Sequence, residues 1–89
     1  MAVEKKVSIQ NKLGLHARPA ALFVQTASKY RSEIKVEKAG EEVNGKSILG
    51  LMSLAAAHRD VITLKAEGED AVEAIEGLEG LIESKFGEE

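Results

Sequence analysis

The hydrophobic period of this chain switches several times between two and three-to-four, and that alternation restricts the fold more than any other feature. Val3, Lys5, Val7 and Ile9 alternate with Glu4, Lys6 and Ser8. A period of two places each set on its own side of a strand, so a first strand with one buried face is expected here. From about Ala17 to Lys29 the apolar positions Ala20, Phe23, Val24 and Ala27 recur at helical spacing. Pro19 fits the first turn of that helix, where a missing N–H has no helical partner to lose. Period two returns through Ile34 and Val36 in Glu33–Lys38, turns at Ala39-Gly40-Glu41, and resumes in a short strand holding Val43 that ends at Asn44-Gly45. Two neighbouring strands with a tight turn read as an antiparallel hairpin. Ser47 suits the N-cap of a short second helix carrying Ile48, Leu49, Leu51, Met52 and Leu54, with Gly50 weakening it. Val61 to Ala66 alternates again, as a fourth strand. Asp70 and Glu73 have capping-box spacing, and Val72, Ile75, Leu78, Ile82 and Phe86 then follow at intervals of three and four, as in an amphipathic last helix.

The expected order is therefore β-α-β-β-α-β-α. Strands with one apolar face and helices with one apolar stripe bury those surfaces against each other as a two-layer α+β sandwich. With 89 residues, a single domain spanning 1–89 is expected. Aromatic residues are only 3% of the chain, so the core must be aliphatic. The chain has no cysteine, which removes disulfides, thiolate metal sites and cysteine nucleophiles, and suits a reducing compartment. No apolar run approaches the ~20 residues of a membrane span, and the start MAVEKKVSIQ has no signal-peptide stretch, so membrane insertion is not expected. The net charge is −3 without a dense Lys/Arg cluster, which argues against nucleic acid as a partner.

The chemistry concentrates in Gly14-Leu15-His16-Ala17-Arg18-Pro19-Ala20. His16 stands just before the first helix, where backbone N–H groups such as that of Ala17 lack helical partners. Those donors and the positive end of the helix dipole attract an anion. Arg18 adds a planar cation suited to phosphate oxygens. Positive charge is thus expected beside His16. A neutral imidazole is a nucleophile, so the segment has what transient N-phosphorylation requires. The same residues are also compatible with an ordinary loop histidine that precedes a helix. A metal site is not expected, because no second histidine lies at ligand spacing and His58 is remote in sequence.

Gly40-Glu-Glu-Val-Asn-Gly45-Lys46-Ser47 matches G-x-x-x-x-G-K-[ST], the phosphate-binding loop of nucleotide hydrolases. It is read as coincidence. Val43 belongs to an apolar alternation, Gly40 to a hairpin turn, and Asp60 precedes its strand instead of ending it. On the second helix, Ile48, Leu49, Leu51, Met52 and Leu54 cannot all face inward. Leu49 and Met52 are expected to be exposed, either as a crowded core edge or as an apolar docking patch beside His16 to which Leu15 and Ala20 contribute. His58-Arg59-Asp60 reads as a solvated loop before the fourth strand.

The His16 segment resembles the active-site signature of the histidine-containing phosphocarrier family, HPr, of the phosphoenolpyruvate-dependent sugar phosphotransferase system. The resemblance continues through Val24-Gln25-Thr26-Ala27-Ser28-Lys29-Tyr30, Val43-Asn44, Lys46-Ser47-Ile48 and Met52-Ser53-Leu54. It implies an open-faced sandwich of four antiparallel strands with three helices on one face. It implies that enzyme I phosphorylates His16 on Nδ1, with phosphoenolpyruvate as the ultimate donor, that Arg18 stabilises the phosphoryl group, and that the group passes to sugar-specific IIA domains. In the form typical of Gram-positive bacteria it further implies that Ser47 is phosphorylated by a serine kinase/phosphorylase; the charge so added to a docking surface is expected to slow transfer to His16 and to favour a transcriptional regulator. The implied protein is a cytoplasmic monomer without cofactors, a carrier rather than a catalyst. A purely regulatory relative would lack the active histidine, which is present here as His16. A nitrogen-related paralogue is a further alternative, against which the Ser47 context argues. An enzyme reading, a nucleotide hydrolase or a hydrolase using His16, predicts turnover of Mg-ATP without any other protein.

Overall fold

The computed structural model describes residues 1–88. Its elements are β1 (Ala2–Ser8), α1 (Ala17–Ala27), β2 (Glu33–Lys38), β3 (Glu41–Asn44), α2 (Ile48–Ser53), β4 (Val61–Glu67) and α3 (Ala71–Glu83), followed by a 3₁₀ turn at Lys85–Gly87. The four strands form one antiparallel sheet in the order β1-β4-β2-β3. β4, the last strand in sequence, is therefore central, and it is the segment in which Ile62, Leu64 and Ala66 are all buried.

Register decides which face meets the helices. Val7 lies opposite Ile62, Leu64 opposite both Lys5 and Val36, and Ala66 opposite both Val3 and Ile34. These residues share one side of the pleat, and α3 packs over β1 and β4 on that side while also meeting α1. Phe23 of α1, Leu51 of α2 and Leu78 and Ile82 of α3 are fully enclosed. Burying each of these side chains contributes roughly 1.5–3 kcal/mol against chain entropy. Lys5 falls on the apolar side, but β1 is an edge strand, so its ammonium reaches Glu79 of α3 at 2.7 Å. The other face of the sheet is open and polar: Lys65 pairs with Glu37 and Glu42, each at 2.8 Å.

The elements match the order expected from hydrophobic period, with three differences. First, α1 stops at Ala27 instead of Lys29, because the chain tightens there, with Lys29 N–H donating to Thr26 and Tyr30 N–H to Ala27. Second, α3 ends at Glu83, so Phe86 does not continue its stripe. Phe86 is nevertheless buried, carried inward by a reversal through left-handed backbone at Lys85 and Phe86. Val72, at the other end of the expected stripe, is exposed, and Ala71 and Ala74 are buried instead. Third, Asp70 does not cap α3 with its side chain. Its carboxylate accepts Arg31 N–H at 2.8 Å, Ser32 N–H at 2.9 Å and the Ser32 hydroxyl at 2.5 Å. The three donors of that loop outcompete the helix terminus, and the Ser32 hydroxyl, followed by the Arg31 amide, holds the Asp70 carboxyl below its ordinary range.

Candidate functional site

His16 is placed by the loop that joins β1 to α1. Gly14 adopts φ +73°, and a Cβ there would lie 2.4 Å from the Ala56 carbonyl oxygen, so only glycine permits this approach. Leu15 N–H then donates to that carbonyl at 2.8 Å. The loop is thus fastened to the segment after α2, and His16 follows as the N-cap of α1 with extended backbone, its carbonyl accepting Ala20 N–H at 2.9 Å. No side chain caps this terminus. Pro19 has no N–H, so Ala17 and Arg18 supply the first-turn amides, which are open to an anion. The His16 side chain is half-buried, and Arg18 is 70% exposed, so both remain reachable from outside.

The structure adds two groups that sequence spacing did not reveal. Glu88 lies against the imidazole, its Oε1 3.3 Å from Nε2 of His16 and its Oε2 4.0 Å from Arg18. Asn11, fully buried, donates through Nδ2 to the Gly14 carbonyl at 2.7 Å and to Glu88 at 2.9 Å. The surroundings of His16 are therefore mixed in sign. The Glu88 carboxyl is held below its ordinary range, mainly by the Asn11 amide, with His16 and Arg18 adding to the effect.

Beside His16 a shallow groove of about 270 Å³ is lined by Leu13, Leu15, Met52 and Ala55–Ala57. Of the apolar residues on α2, Leu49 is 80% exposed and Ile48 and Met52 about half as much, while Leu51 is buried. Of the residues expected in this patch, Ala20 is fully buried on the core face of α1, whereas Leu15, held by its hydrogen bond to Ala56, is nearly buried and still lines the groove. Leu13, exposed on the groove rim, joins it. A larger groove on the open sheet face is lined by Glu4, Glu33, Lys35, Glu42, Lys65 and Glu67. It brings no histidine, serine or threonine, and its Lys65 is already paired.

Ser47 caps α2: its hydroxyl oxygen accepts Gly50 N–H at 3.0 Å. The neighbouring Lys46 donates to the Tyr30 carbonyl at 2.8 Å. Gly40 and Gly45 do not bound a phosphate loop, since Glu41–Asn44 is strand β3 and a Cβ on Gly45 would lie 2.5 Å from Ile34. In the His58–Asp60 loop, Asp60 accepts Ala57 N–H at 2.8 Å and lies 3.1 Å from Lys38, whose ammonium also donates to the Leu54 and Ala55 carbonyls. Asp60 and Lys38 together fasten the end of α2 to the sheet. Among the described residues no group of three acidic or imidazole side chains is arranged to hold a metal ion, and no helix is long and apolar enough to cross a membrane.

An open-faced sandwich that presents one histidine and one arginine at an uncapped helix terminus defines a protein built to hold a phosphoryl group at its surface. The chain belongs to the family whose model is described as the PTS HPr component phosphorylation site, which matches residues 3–84. It is 51% identical to the phosphocarrier protein HPr of Neisseria meningitidis, over 97% of each chain. It is 55% identical to the HPr-like protein Crh of Halalkalibacterium halodurans, over 93% of this chain and 99% of the relative. A crystal structure of HPr from Thermoanaerobacter tengcongensis superposes with a TM-score of 0.94 at 61% identity, over 98% of each chain. The family is one of phosphocarriers of the phosphotransferase system, carriers rather than catalysts.

Proposed function

We propose that His16 accepts a phosphoryl group on Nδ1 from phosphorylated enzyme I, which draws it from phosphoenolpyruvate, and delivers it to IIA domains of sugar permeases. The observation that carries this reading is the placement of a half-exposed imidazole at the uncapped start of α1, with Arg18 and the Ala17 and Arg18 amides beside it. Transfer between proteins needs in-line approach of donor and acceptor, which a surface ring allows and a buried one forbids. Arg18 is the cation for the phosphoryl oxygens. Ile48, Leu49 and Met52 form the docking face, joined to His16 through the groove that Met52 lines. The high identity to a Crh-type relative does not favour a purely regulatory role, because His16 is present here.

Ser47 supports a second, compatible role as a regulatory phosphorylation site of a serine kinase/phosphorylase. It lies at the start of the helix whose exposed face carries Leu49 and Met52. A phosphate there adds about two negative charges to the docking face, and so slows transfer to His16 while creating a different surface for a transcriptional regulator. The test is to incubate the protein with enzyme I and phosphoenolpyruvate and to locate the acid-labile phosphate by mass spectrometry. Phosphate on His16, absent from His16→Ala, is expected. Relay of phosphate by His16→Ala would overturn the proposal, and so would turnover of Mg-ATP by the protein alone.

A further inference from the structure

The chain's last described residues return to its phosphorylation loop. Lys85, Phe86 and Gly87 have φ of 61°, 55° and 74°. Left-handed backbone is unfavourable for two successive non-glycine residues, so contacts must hold it. Burial of Phe86, only 2% exposed, provides that anchor. The reversal aims Glu88 at the loop before α1, where its side chain is only 15% exposed. Asn11 fixes the carboxylate from one side through a 2.9 Å hydrogen bond and is itself fixed by the Gly14 carbonyl. An ionised carboxylate can only accept hydrogen bonds. The ring nitrogen 3.3 Å from it, Nε2, must therefore donate, and the lone pair of the neutral ring falls on Nδ1.

We propose that Glu88 is a positioning residue for phosphoryl transfer: it holds His16 in the tautomer whose Nδ1 is the nucleophile and pairs with the cationic ring that phosphorylation creates. This rests on His16 being the acceptor. In the transfer, the Nδ1 lone pair forms the N–P bond as the donor's bond to phosphorus breaks and its electron pair leaves with the donor. No proton leaves His16. The ring passes from neutral to cationic while Nε2–H stays on Glu88, and onward transfer restores the neutral ring. Among the described residues, the charged groups placed against the ring are Glu88 from the C-terminal segment and Arg18 from α1, whereas the α2 side brings only Met52 and Ala55–Ala57. Glu88 thus serves the ring, and the loosely held Arg18 is left for the phosphoryl oxygens.

The test uses Glu88→Ala and Glu88→Gln in the full chain. Long-range ¹H–¹⁵N spectra read the His16 ring in the free protein, and the same spectra across pH read it after phosphorylation by enzyme I and phosphoenolpyruvate. Glu88→Gln keeps an acceptor and should keep the Nε2–H tautomer, whereas Glu88→Ala should lose part of it. Both remove the charge, so in both the phosphorylated ring should release its Nε2 proton at a pH lower by about half a unit to one unit. An unchanged free-ring tautomer in Glu88→Ala, or an unmoved pH profile in both variants, overturns the proposal. The free-ring measurement needs no phosphate, so a failure there is distinct from a failure of His16 as acceptor, which His16→Ala reports.

Discussion

Asn11 and Glu88, 77 positions apart, share a 2.9 Å hydrogen bond that joins the loop after β1 to the end of the chain. Asn11 is fully buried, and its Oδ1 has no partner among the described residues, so the side chain is kept for what Nδ2 does. Asn11→Ala should cost about 1–3 kcal/mol, because the Gly14 carbonyl loses its donor in the interior. It should also let the Glu88 carboxyl rise toward its ordinary value of 4.5, since the Asn11 amide is the main cause of its depression. Urea unfolding and ¹³C-detected titration of the carboxyl check the two effects separately.

Phe86 tests whether the C-terminal reversal is held by packing. Phe86→Ala removes a buried ring and should destabilise the protein by about 3 kcal/mol, the low end for such a truncation because the site lies near a terminus. It should also free the left-handed turn and broaden the Glu88 and His16 resonances together. A loss of stability with unchanged signals at both residues would separate the anchor from the site.

Ser47 has a structural share, and two variants tell it apart from the proposed regulatory share. Ser47→Ala leaves the Gly50 amide without its acceptor and should cost about 1 kcal/mol in chemical denaturation. Ser47→Asp retains a capping oxygen and should fold with near-native stability. Its added charge should nevertheless slow phosphorylation by enzyme I at least severalfold in a rapid-quench assay. An unaltered rate would refute the regulatory share.

Leu49 is the most exposed apolar residue of α2. Leu49→Asp should change stability by no more than about 0.5 kcal/mol, as expected of a solvent-facing position. If α2 is the docking face, affinity for enzyme I in calorimetry should fall about tenfold or more. Equal affinity would remove α2 from the interface.

Asp70 makes stability depend on pH with a definite sign. Its folded-state carboxyl lies below the ordinary value of 3.8, so its contribution is fully present above that value and fades as pH falls through the lower folded value. Asp70→Asn should therefore reduce stability at neutral pH and flatten the acid limb of the unfolding curve. A parallel acid limb in the variant would show that Asp70 does not drive the loss.

The alternating and helical periods were readable because a strand with one buried face and a helix with one buried stripe repeat at fixed local intervals. Val7, Ile62, Leu64, Phe23 and Leu78 all declared their inward direction that way. His16, Arg18 and Ser47 were readable for the same reason, since helix starts are local events that neighbouring residues specify. Phe86 misled because its spacing continued a helix that had already ended, and a buried side chain looks the same to a periodic pattern whichever backbone delivers it. Ala20 misled because nearness to His16 in sequence does not say which way a side chain points; its place on the core face of α1 decided that. Glu88, Asn11 and the Asp60–Lys38 fastening left no local trace, because hydrogen bonds between distant segments depend on where the closed sheet brings them. Sequence alone therefore determined which imidazole stands at a helix start and on which helix. Tertiary structure decided which charge faces it, because only the folded chain brings the carboxylate of its C-terminal segment against that ring.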